Sequence, residues 1–390
     1  MIVGLGRSGL SAVRHLYARG WKVAVTDSRV QPPEQAALQQ LDRSIPLHAG
    51  GLDVALLEDA MCVVASPGVS LQLPFFAEAR RRGLEIVGDI ELFARAVNAP
   101  VVGITGTNGK STVTSLVGRM AERAGIRVLV GGNLGEPALD LLARAEAGES
   151  GAGESTALYV LELSSFQLET TSTLHLKAAT VLNISPDHLD RYDSTESYAH
   201  AKARIFARCD TAIINLDDPL VVAMPRAGQR TLSFSLRASI GADYAVASRE
   251  DAWWLMRRGE PLMPIAAMKL KGMHNAANAL AALALGESLE LPLQTMLAEL
   301  AAFEGLPHRS QWVAELAGVT YINDSKGTNV GATLAAVAGM PGPVVLIAGG
   351  DGKNQDFTPL AAAFRGKVRH AVLIGRDAAA IARVLDGVCA

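Results

Sequence analysis

The sequence predicts an α/β protein of three domains with mostly parallel sheets, and three observations predict this fold class. A Gly-x-Gly-x-x-Gly segment, 4–9, lies between an apolar strand end and a helical pattern. A second glycine-rich segment, 103–112, lies between the apolar Val101-Val102 and another helical pattern. After residue 306, short apolar runs alternate with turns rich in Gly, Asp and Lys. Strands that alternate with helices in this order favour parallel sheets.

Size and charge limit the classes of partner. The 390 residues exceed what one hydrophobic core usually holds and suggest two or three domains. A net charge of −3 does not indicate the strongly basic surface that binds nucleic acid or an anionic membrane. No apolar run approaches the ~20 residues of a membrane span. We therefore expect small-molecule partners, no nucleic acid and no membrane span. A monomer is a separate expectation, which size and charge do not decide. Three scattered cysteines, Cys62, Cys209 and Cys389, form no Cys-x-x-Cys pair and fit a reducing cytoplasm.

Residues 1–98 are predicted to form a Rossmann-like domain. The segment 4–9, here called the glycine turn, leads into a helix that reaches Gly20, and a second strand is predicted at 21–26. This strand ends at Asp27, close to where a Rossmann unit places its ribose-binding carboxylate. Further strand-helix units are predicted within 61–97, and Asn98-Ala99-Pro100 is a plausible linker.

Residues 99–305 are predicted to form a central P-loop ATPase domain. In the segment 103–112, here called the phosphate loop, Gly106 and Gly109 let the backbone approach a triphosphate. Lys110 and Ser111 supply an ammonium group and a hydroxyl for Mg²⁺. Because Ile104 stands where the common motif has a glycine, a standard Walker NTPase is disfavoured. A glycine-rich turn without a ligand is the structural alternative.

The remaining elements follow from apolar periodicity. Strands are predicted at 158–161, 179–183 and 211–215, and alanine-rich helices at 276–286 and 293–302. The polar segment 146–156 is predicted to be a surface loop. Residues 306–390 are predicted to form a third, Rossmann-like domain, with strands at 319–322, 344–348 and 371–374.

Three charged residues are candidates for chemistry, each with a structural alternative. Glu162 follows an apolar strand, where phosphoryl-transfer enzymes hold a carboxylate that reaches Mg²⁺, although a solvated carboxylate fits the same position. His188 lies between Asp187 and Asp190, which fits either a metal ligand or a charged turn. Lys202 lies in a helical stretch, where spacing alone predicts a solvent-facing side chain.

Taken together, these motifs resemble the Mur ligase family, and its D-glutamate-adding branch most of all. The likeness runs from Gly4 to about Asp377, and the run Glu-Leu-Ser-Ser-Phe-Gln-Leu at 162–168 separates this branch from the others. The segments that carry it are 88–93, 103–112, 162–168, 187–191, 274–275, 306–309 and 323–326.

The resemblance implies an ATP-dependent amide ligase of cytoplasmic peptidoglycan precursor synthesis. ATP would phosphorylate the carboxylate of UDP-N-acetylmuramoyl-L-alanine, and the amine of D-glutamate would then attack the acyl phosphate to form an amide and phosphate. A carboxylate is a poor acyl donor until it bears a good leaving group, which ATP would supply. ATP and Mg²⁺ are the implied cofactors, because the gathered anions need cations around them.

The resemblance also implies roles for individual residues. Lys110, Glu162, His188 and Lys202 would be catalytic, and the Mg²⁺ ligands would be Ser111, Glu162, His188 and Lys202 as a carbamate. ATP would be bound by Gly106, Thr107, Asn108, Gly109, Lys110, Ser111, Thr112, Asn275, Arg309 and Asp324. The UDP portion of the donor would be bound by Gly6, Arg7, Ser8, Asp27, Ser28, Arg29 and Gly68, its sugar by Asn133 and Ser164, and D-glutamate by Lys326, Thr328 and Lys353.

Two alternatives stay open. Another amide ligase, such as a folylpolyglutamate synthase, shares the Gly-Thr-Asn-Gly-Lys loop, although the domain that begins with the glycine turn argues against it. The family's third domain continues through a Ser-rich loop that helps bind D-glutamate, whereas this chain stops at Ala390. We therefore expect an incomplete third domain, and a non-catalytic nucleotide-binding fragment is the second alternative.

Overall fold

The computed structural model describes residues 1–148, 158–340 and 342–390, so most of the predicted surface loop 146–156 lies outside the described residues. The described residues form two compact units. The first comprises 1–105, 125–179 and 201–210. The second comprises 106–124, 180–200 and 211–390.

A five-stranded parallel sheet opens the first unit, in the order β3-β2-β1-β4-β5. Its strands are β1 (Ile2–Val3), β2 (Val25–Asp27), β3 (Leu47–Ala49), β4 (Cys62–Ala65) and β5 (Glu85–Val87). Its helices are α1 (Arg7–Ala18), α2 (Gln35–Leu41), α3 (Pro74–Arg81) and α4 (Asp89–Ala96). The prediction that the second strand begins at Trp21 was wrong, because the Trp21 N–H bonds to the Leu16 carbonyl at the end of α1.

The glycine turn brings α1 close to the sheet. Gly4 has φ +93°, a left-handed conformation that favours glycine. A Cβ on Gly9 would lie 2.0 Å from the Gly4 carbonyl oxygen, so only glycine fits where the helix crosses the strand end. Leu10 and Val13, on the inner face of α1, are fully buried as the helical spacing requires.

The second sheet has nine strands in the order β14-β13-β12-β11-β10-β9-β6-β8-β7. The strands are β6 (Val101–Thr105), β7 (Val128–Gly132), β8 (Leu158–Glu162), β9 (Leu176–Val181), β10 (Cys209–Asn215), β11 (Arg230–Ser235), β12 (Tyr244–Arg249), β13 (Ala252–Arg257) and β14 (Glu260–Pro264). The pairs β6-β8, β7-β8, β10-β11 and β11-β12 are parallel. The pairs β12-β13 and β13-β14 are antiparallel.

The helices of the central region include the one that follows the phosphate loop. They are α5 (Lys110–Arg123), α6 (Ala138–Glu146), α7 (Ser165–Glu169), α8 (Thr195–Ala203), α9 (Pro219–Val222), α10 (Met273–Ser288) and α11 (Leu293–Ala302). Within the second unit, α10 and α11 both pack against α5. The alanine side chains of α10 are nearly all buried, which allows a close approach between helices.

The last part of the chain is only partly parallel. Its elements are β15 (Gln311–Leu316), β16 (Val319–Asn323), α12 (Val330–Gly339), β17 (Val344–Gly349), α13 (Pro359–Phe364), β18 (Val368–Ile374) and α14 (Ala378–Leu385). β17 and β18 pair in parallel, but β15 and β16 form an antiparallel two-stranded sheet. The expectation that the strand at 319–322 belongs to a mostly parallel sheet was therefore wrong for that strand. Within the described ranges, no helix combines the length and apolarity needed to cross a membrane.

Candidate active site

The phosphate loop takes the backbone shape that its glycines predict. Gly106 has φ +142° and Gly109 has φ +85°, and Gly109 is the residue that caps the N-terminus of α5. A Cβ on Gly109 would lie 2.3 Å from the side-chain oxygen of Asn278 on α10. Glycine is therefore required at 109 both by the backbone conformation and by the space available.

Residues that follow β9 hold the loop in place. The Thr107 N–H donates to the Asn183 carbonyl at 2.8 Å, and the Asn108 N–H donates to Oδ1 of Asn183 at 2.8 Å. The Thr107 hydroxyl donates to the Ser185 carbonyl at 3.2 Å. Asn183 was missed from the sequence, because a side chain that anchors a distant loop leaves no local pattern.

Two cations lie at the loop within the second unit. Nζ of Lys110 donates to the carbonyls of Gly106 at 3.0 Å and Thr107 at 2.8 Å, so the side chain folds back over the loop. A guanidinium N–H of Arg309 donates to the hydroxyl of the buried Ser111 at 2.7 Å. An ammonium, a guanidinium and the N-terminus of α5 together favour a polyanion at this loop.

A cavity of about 160 Å³ adjoins the phosphate loop within the second unit. It brings together predicted nucleotide-binding residues from three parts of the chain: Asn108, Gly109 and Thr112 from the loop, Asn275 from α10, and Arg309 and Asp324 from the segment around β15 and β16. Lys326 also lines it, whereas Thr328 and Lys353 do not.

Polar side chains shape that cavity from α10. Nδ2 of Asn278 donates to Oδ1 of Asn275 at 3.1 Å, and Asn275 donates to the Lys271 carbonyl at 2.8 Å. Burial lowers the pKa of His274, so its imidazole is more readily neutral than usual. Planar amides and a neutral ring suit a flat heterocyclic base. Asn278, which the sequence patterns did not single out, belongs to this group.

His188 follows a buried carboxylate in the second unit. The carboxylate of Asp187 accepts hydrogen bonds from the backbone N–H of His188, from Nδ2 of Asn329 at 3.3 Å and from Nζ of Lys353 at 3.3 Å. His188 has φ +54°, a left-handed conformation that costs a non-glycine residue on the order of 1 kcal/mol. Its half-buried ring has Nε2 3.9 Å from Oδ2 of Asp187. Strain of this kind persists where the surrounding contacts fix the backbone.

Glu162 and Lys202 lie in the first unit, and both are buried. Glu162 is the last residue of β8, 3% exposed, and its Oε1 accepts from Nδ2 of Asn133 at 2.6 Å. The expectation from spacing that Lys202 faces solvent was wrong, because the residue is 1% exposed. Its Nζ donates to the hydroxyl of Thr105, at the end of β6, at 3.2 Å.

The donor types of the predicted metal ligands fit Mg²⁺. A serine hydroxyl, a carboxylate and the oxygens of a lysine carbamate are hard ligands of the kind that Mg²⁺ prefers, although the imidazole of His188 is a softer one. Across residues 1–148, 158–340 and 342–390, no cluster of three or more His, Cys, Asp or Glu side chains could hold a metal ion. The predicted set is of a different kind, because it combines only Glu162 and His188 of those types with a hydroxyl and a carbamate.

The residues predicted to bind the UDP portion meet at one edge of the first sheet. Gly6, Arg7 and Ser8 follow β1, Ser28 and Arg29 follow β2, and Gly68 follows β4. These three strands are adjacent and parallel. Carboxyl ends of adjacent parallel strands are where open α/β sheets bind ligands.

Asp27, at the end of β2, has its carboxylate fully engaged by protein groups. It accepts from the Leu5 N–H at 2.7 Å and from the N–H and guanidinium of Arg29 at 2.6 to 2.9 Å. Burial alone would raise the pKa of Asp27, but these hydrogen bonds outweigh it and hold the pKa at about 2. The carboxylate therefore organises the glycine turn whether or not it also contacts a ligand.

A second polar group in the first unit surrounds the discriminating run 162–168. Ser164 caps α7 by accepting from the Gln167 N–H, and Nε2 of Gln167 donates to Oδ2 of Asp89 at 3.1 Å. Asn133 follows β7, and its N–H donates to the Glu162 carbonyl at 2.8 Å. Burial raises the pKa of Asp89. Asp89 and Gln167 lie within segments that carry the family likeness, but their contact was not predicted.

Comparison with known protein families decides the relationship. A model of the Mur ligase MurD-like N-terminal domain matches residues 1–88, the Mur ligase middle domain matches 104–286, and the Mur ligase glutamate ligase domain matches 308–389. This chain belongs to the Mur ligase family. The resemblance inferred from its motifs is thereby confirmed.

Individual relatives are similar over nearly the whole chain. The UDP-N-acetylmuramoylalanine--D-glutamate ligase of Nitrosococcus oceani is 51% identical over 99% of this chain and 83% of its own length. The protein of the same name from Methylococcus capsulatus is 50% identical over 100% of this chain and 82% of its own length. Among solved structures, the UDP-N-acetylmuramate-alanine ligase of Thermotoga maritima superposes with a TM-score of 0.63 at 20% identity, covering 99% of this chain and 87% of that one. The last likeness supports the three-domain α/β fold alone.

Proposed function

We propose that this Mur ligase is an ATP-dependent ligase that joins D-glutamate to UDP-N-acetylmuramoyl-L-alanine through an acyl phosphate, in peptidoglycan precursor synthesis. Relatives named UDP-N-acetylmuramoylalanine--D-glutamate ligase, about half identical over almost the whole chain, support the choice of substrates. The structural observation that carries the ATP-dependent step is the phosphate loop, in which Lys110 lies over a glycine backbone at the N-terminus of α5.

ATP is proposed to bind across the phosphate loop and the adjoining cavity. Residues 106–112 would hold the phosphates, Asn275 would contact the adenine, and Asp324 would contact the ribose. Arg309 would contact the phosphates, since its guanidinium already bonds to the Ser111 hydroxyl. Lys110 would neutralise the β- and γ-phosphates as the terminal phosphoryl group moves to the donor carboxylate.

The metal ligands are carried over residue by residue: Ser111, Glu162, His188 and the carbamate of Lys202. Mg²⁺ would supply positive charge to the clustered phosphate and carboxylate oxygens. Carbamylation of Lys202 would turn an ammonium into an anionic oxygen ligand, and the burial of this residue supports that role.

The donor and acceptor sites are also proposals. Gly6, Arg7, Ser8, Asp27, Ser28, Arg29 and Gly68 would bind the UDP portion, Asn133 and Ser164 the sugar, and Lys326, Thr328 and Lys353 D-glutamate. We further propose domain boundaries at 1–98, 99–305 and 306–390, and a monomer in the cytoplasm.

Phosphate release from ATP by the purified chain tests this function. UDP-N-acetylmuramoyl-L-alanine is supplied with D-glutamate, L-glutamate, D-aspartate or L-alanine in parallel reactions. We expect release to require the donor and to prefer D-glutamate. Equal rates with all four amino acids would overturn the assignment, and turnover with a folate substrate would favour the folylpolyglutamate alternative. Tight ATP and UDP-sugar binding without any turnover would favour a non-catalytic nucleotide-binding module.

A further inference from the structure

Asn329 connects three segments of the second unit through its side-chain amide. Its Oδ1 accepts from the Ala332 N–H at 2.7 Å and from Nδ2 of Asn108 at 3.3 Å. Its Nδ2 donates to Oδ1 of Asn108 at 3.1 Å and to Oδ2 of Asp187 at 3.3 Å. An amide has two acceptor sites and two N–H donors, so all four hydrogen-bonding positions of this buried side chain are used.

A helix cap alone does not explain this arrangement. Asn329 is the N-cap of α12, and a cap needs only the side-chain oxygen that accepts from Ala332, which serine or aspartate also provides. The two N–H donors serve other segments. An aspartate at 329 would place an oxygen, instead of an N–H group, against the carboxylate of Asp187 and the side-chain oxygen Oδ1 of Asn108. A serine side chain is too short to replace the paired amide contact. The neighbours of Asn329 therefore select an amide.

The two partners of Asn329 lie next to residues proposed to bind the nucleotide and metal. Asn108 precedes Gly109 and Lys110 in the phosphate loop, and Asp187 precedes His188. Asp187 also accepts from Lys353, which is proposed to bind D-glutamate, and Asn329 itself follows Thr328. Through one amide, the loop is thus joined to both segments proposed for the acceptor.

We propose that Asn329 is a positioning residue that aligns the phosphate loop for ATP through Asn108 and joins it to the acceptor segments. The nature of the acceptor rests on the function proposed above, whereas the alignment of the loop requires only that the chain binds ATP. Loss of the amide N–H donors leaves Oδ1 of Asn108 without the donor that now holds it, so ATP binds more weakly.

Three variants separate positioning from capping. Asn329→Ser and Asn329→Asp keep a side-chain oxygen for Ala332 but lose the N–H donors, and Asn108→Ala removes the partner. We expect the thermal midpoint of Asn329→Ser to stay within a few degrees of the parent, because the cap is retained, whereas Asn329→Asp should lower it further, since its carboxylate would face that of Asp187. Their Kd for ATP, measured by calorimetry with ATP and Mg²⁺ alone, should rise about tenfold, the effect of losing one or two hydrogen bonds.

A double-mutant cycle gives the decisive measurement. If Asn329 acts through Asn108, adding Asn329→Ser to Asn108→Ala should weaken ATP binding no further. Multiplicative effects of the two substitutions, or a parental Kd in Asn329→Ser, would overturn the proposal. A parent chain that binds ATP but releases no phosphate with any amino acid would overturn only the ligase assignment, while a parent that binds no ATP would overturn both.

Discussion

Two strand-turn-helix junctions of this chain begin alike and end in different chemistry. In the glycine turn, Gly9 is followed by Leu-Ser, and in the phosphate loop, Gly109 is followed by Lys-Ser. Leu10 is buried in the core of the first unit. Lys110 instead folds back over its own loop and bonds to two carbonyls. The same backbone frame therefore provides a helix N-terminus twice, but only in the phosphate loop is the last glycine followed by a cation.

The serines that follow these two residues also differ in their hydrogen-bond partners. The Ser11 hydroxyl donates to Oδ1 of Asp140 at 2.7 Å, whereas the Ser111 hydroxyl accepts from the guanidinium of Arg309 at 2.7 Å. The glycine turn is also tied to the carboxylate of Asp27. The first junction thus bonds to two carboxylates, those of Asp27 and Asp140, whereas the second has two cations, Lys110 and Arg309. The glycines therefore fix the backbone, while the residue after the last glycine and its neighbours determine whether the loop can bind a triphosphate.

Lys110→Met should give the largest effect. The substitution keeps much of the side-chain length but removes the charge, so we expect phosphate release to fall about 10³-fold, typical of losing a charge that stabilises a transition state. The thermal midpoint should change little. Leu10→Met, the matched substitution in the glycine turn, should leave turnover unchanged, because it replaces one buried apolar side chain with another of similar volume. Comparable losses of turnover in the two variants would contradict the assignment of the cation to one junction.

Lys202→Ala tests the other lysine proposed for the site. We expect phosphate release to fall at least 100-fold and to recover in part when a small carboxylate such as formate or acetate is added, since it can replace the carbamate oxygens. Lys202→Met is the control, because it fills the buried space and leaves no room for an added acid. A Lys202→Ala variant with parental activity would exclude the carbamate role, and equal rescue of both variants would show a nonspecific effect of the acid.

Gly9→Ala tests whether the close approach of α1 to the end of β1 requires a glycine. A Cβ at this position would lie 2.0 Å from the Gly4 carbonyl oxygen, so the backbone must shift. We expect the free energy of unfolding, measured in urea, to fall by about 2–3 kcal/mol. At Gly6 an added Cβ meets nothing within 4 Å, so Gly6→Ala should cost less than about 0.5 kcal/mol. Similar costs for the two variants would show that Gly9 is not required for close packing.

The junctions could be predicted from the sequence because their signals are local. Glycine spacing, an apolar strand before it and helical periodicity after it lie within one short segment, and both the glycine turn and the helix α5 were predicted in place. The burial of Lys202 could not be predicted in this way. It depends on β6 and its Thr105, which lie far away in sequence.

The pairing of β15 with β16 and the contacts around Asn329 were also missed, each for its own reason. The strand at 319–322 was recognised from its composition, but its antiparallel partner is chosen by a tight turn and by packing, which strand propensity does not encode. Asn329 could have been recognised as a cap from its place before Val330-Gly331-Ala332. Its pairing with Asn108, by contrast, joins residues more than two hundred positions apart.

Acid should loosen the glycine turn by protonating the carboxylate of Asp27. The folded-state pKa of Asp27, about 2, lies below its ordinary value of 3.8, so its contribution to stability is fully present above that value and is lost as the pH falls toward 2. Because Arg29 is half exposed, we discount the contribution to about 1 kcal/mol. Asp27→Asn should therefore lower the free energy of unfolding by about this amount at pH 6, and the difference in this free energy between variant and parent should become smaller at pH 3.

The matched substitution Asp187→Asn, in the second unit, alters a carboxylate bonded to Lys353 and Asn329 and should leave the glycine turn unaffected. Amide hydrogen exchange at Leu5 reports the turn directly, because its N–H donates to Asp27. If that exchange is unchanged in Asp27→Asn, the carboxylate does not organise the turn, and the contrast between the two junctions reduces to Lys110 alone.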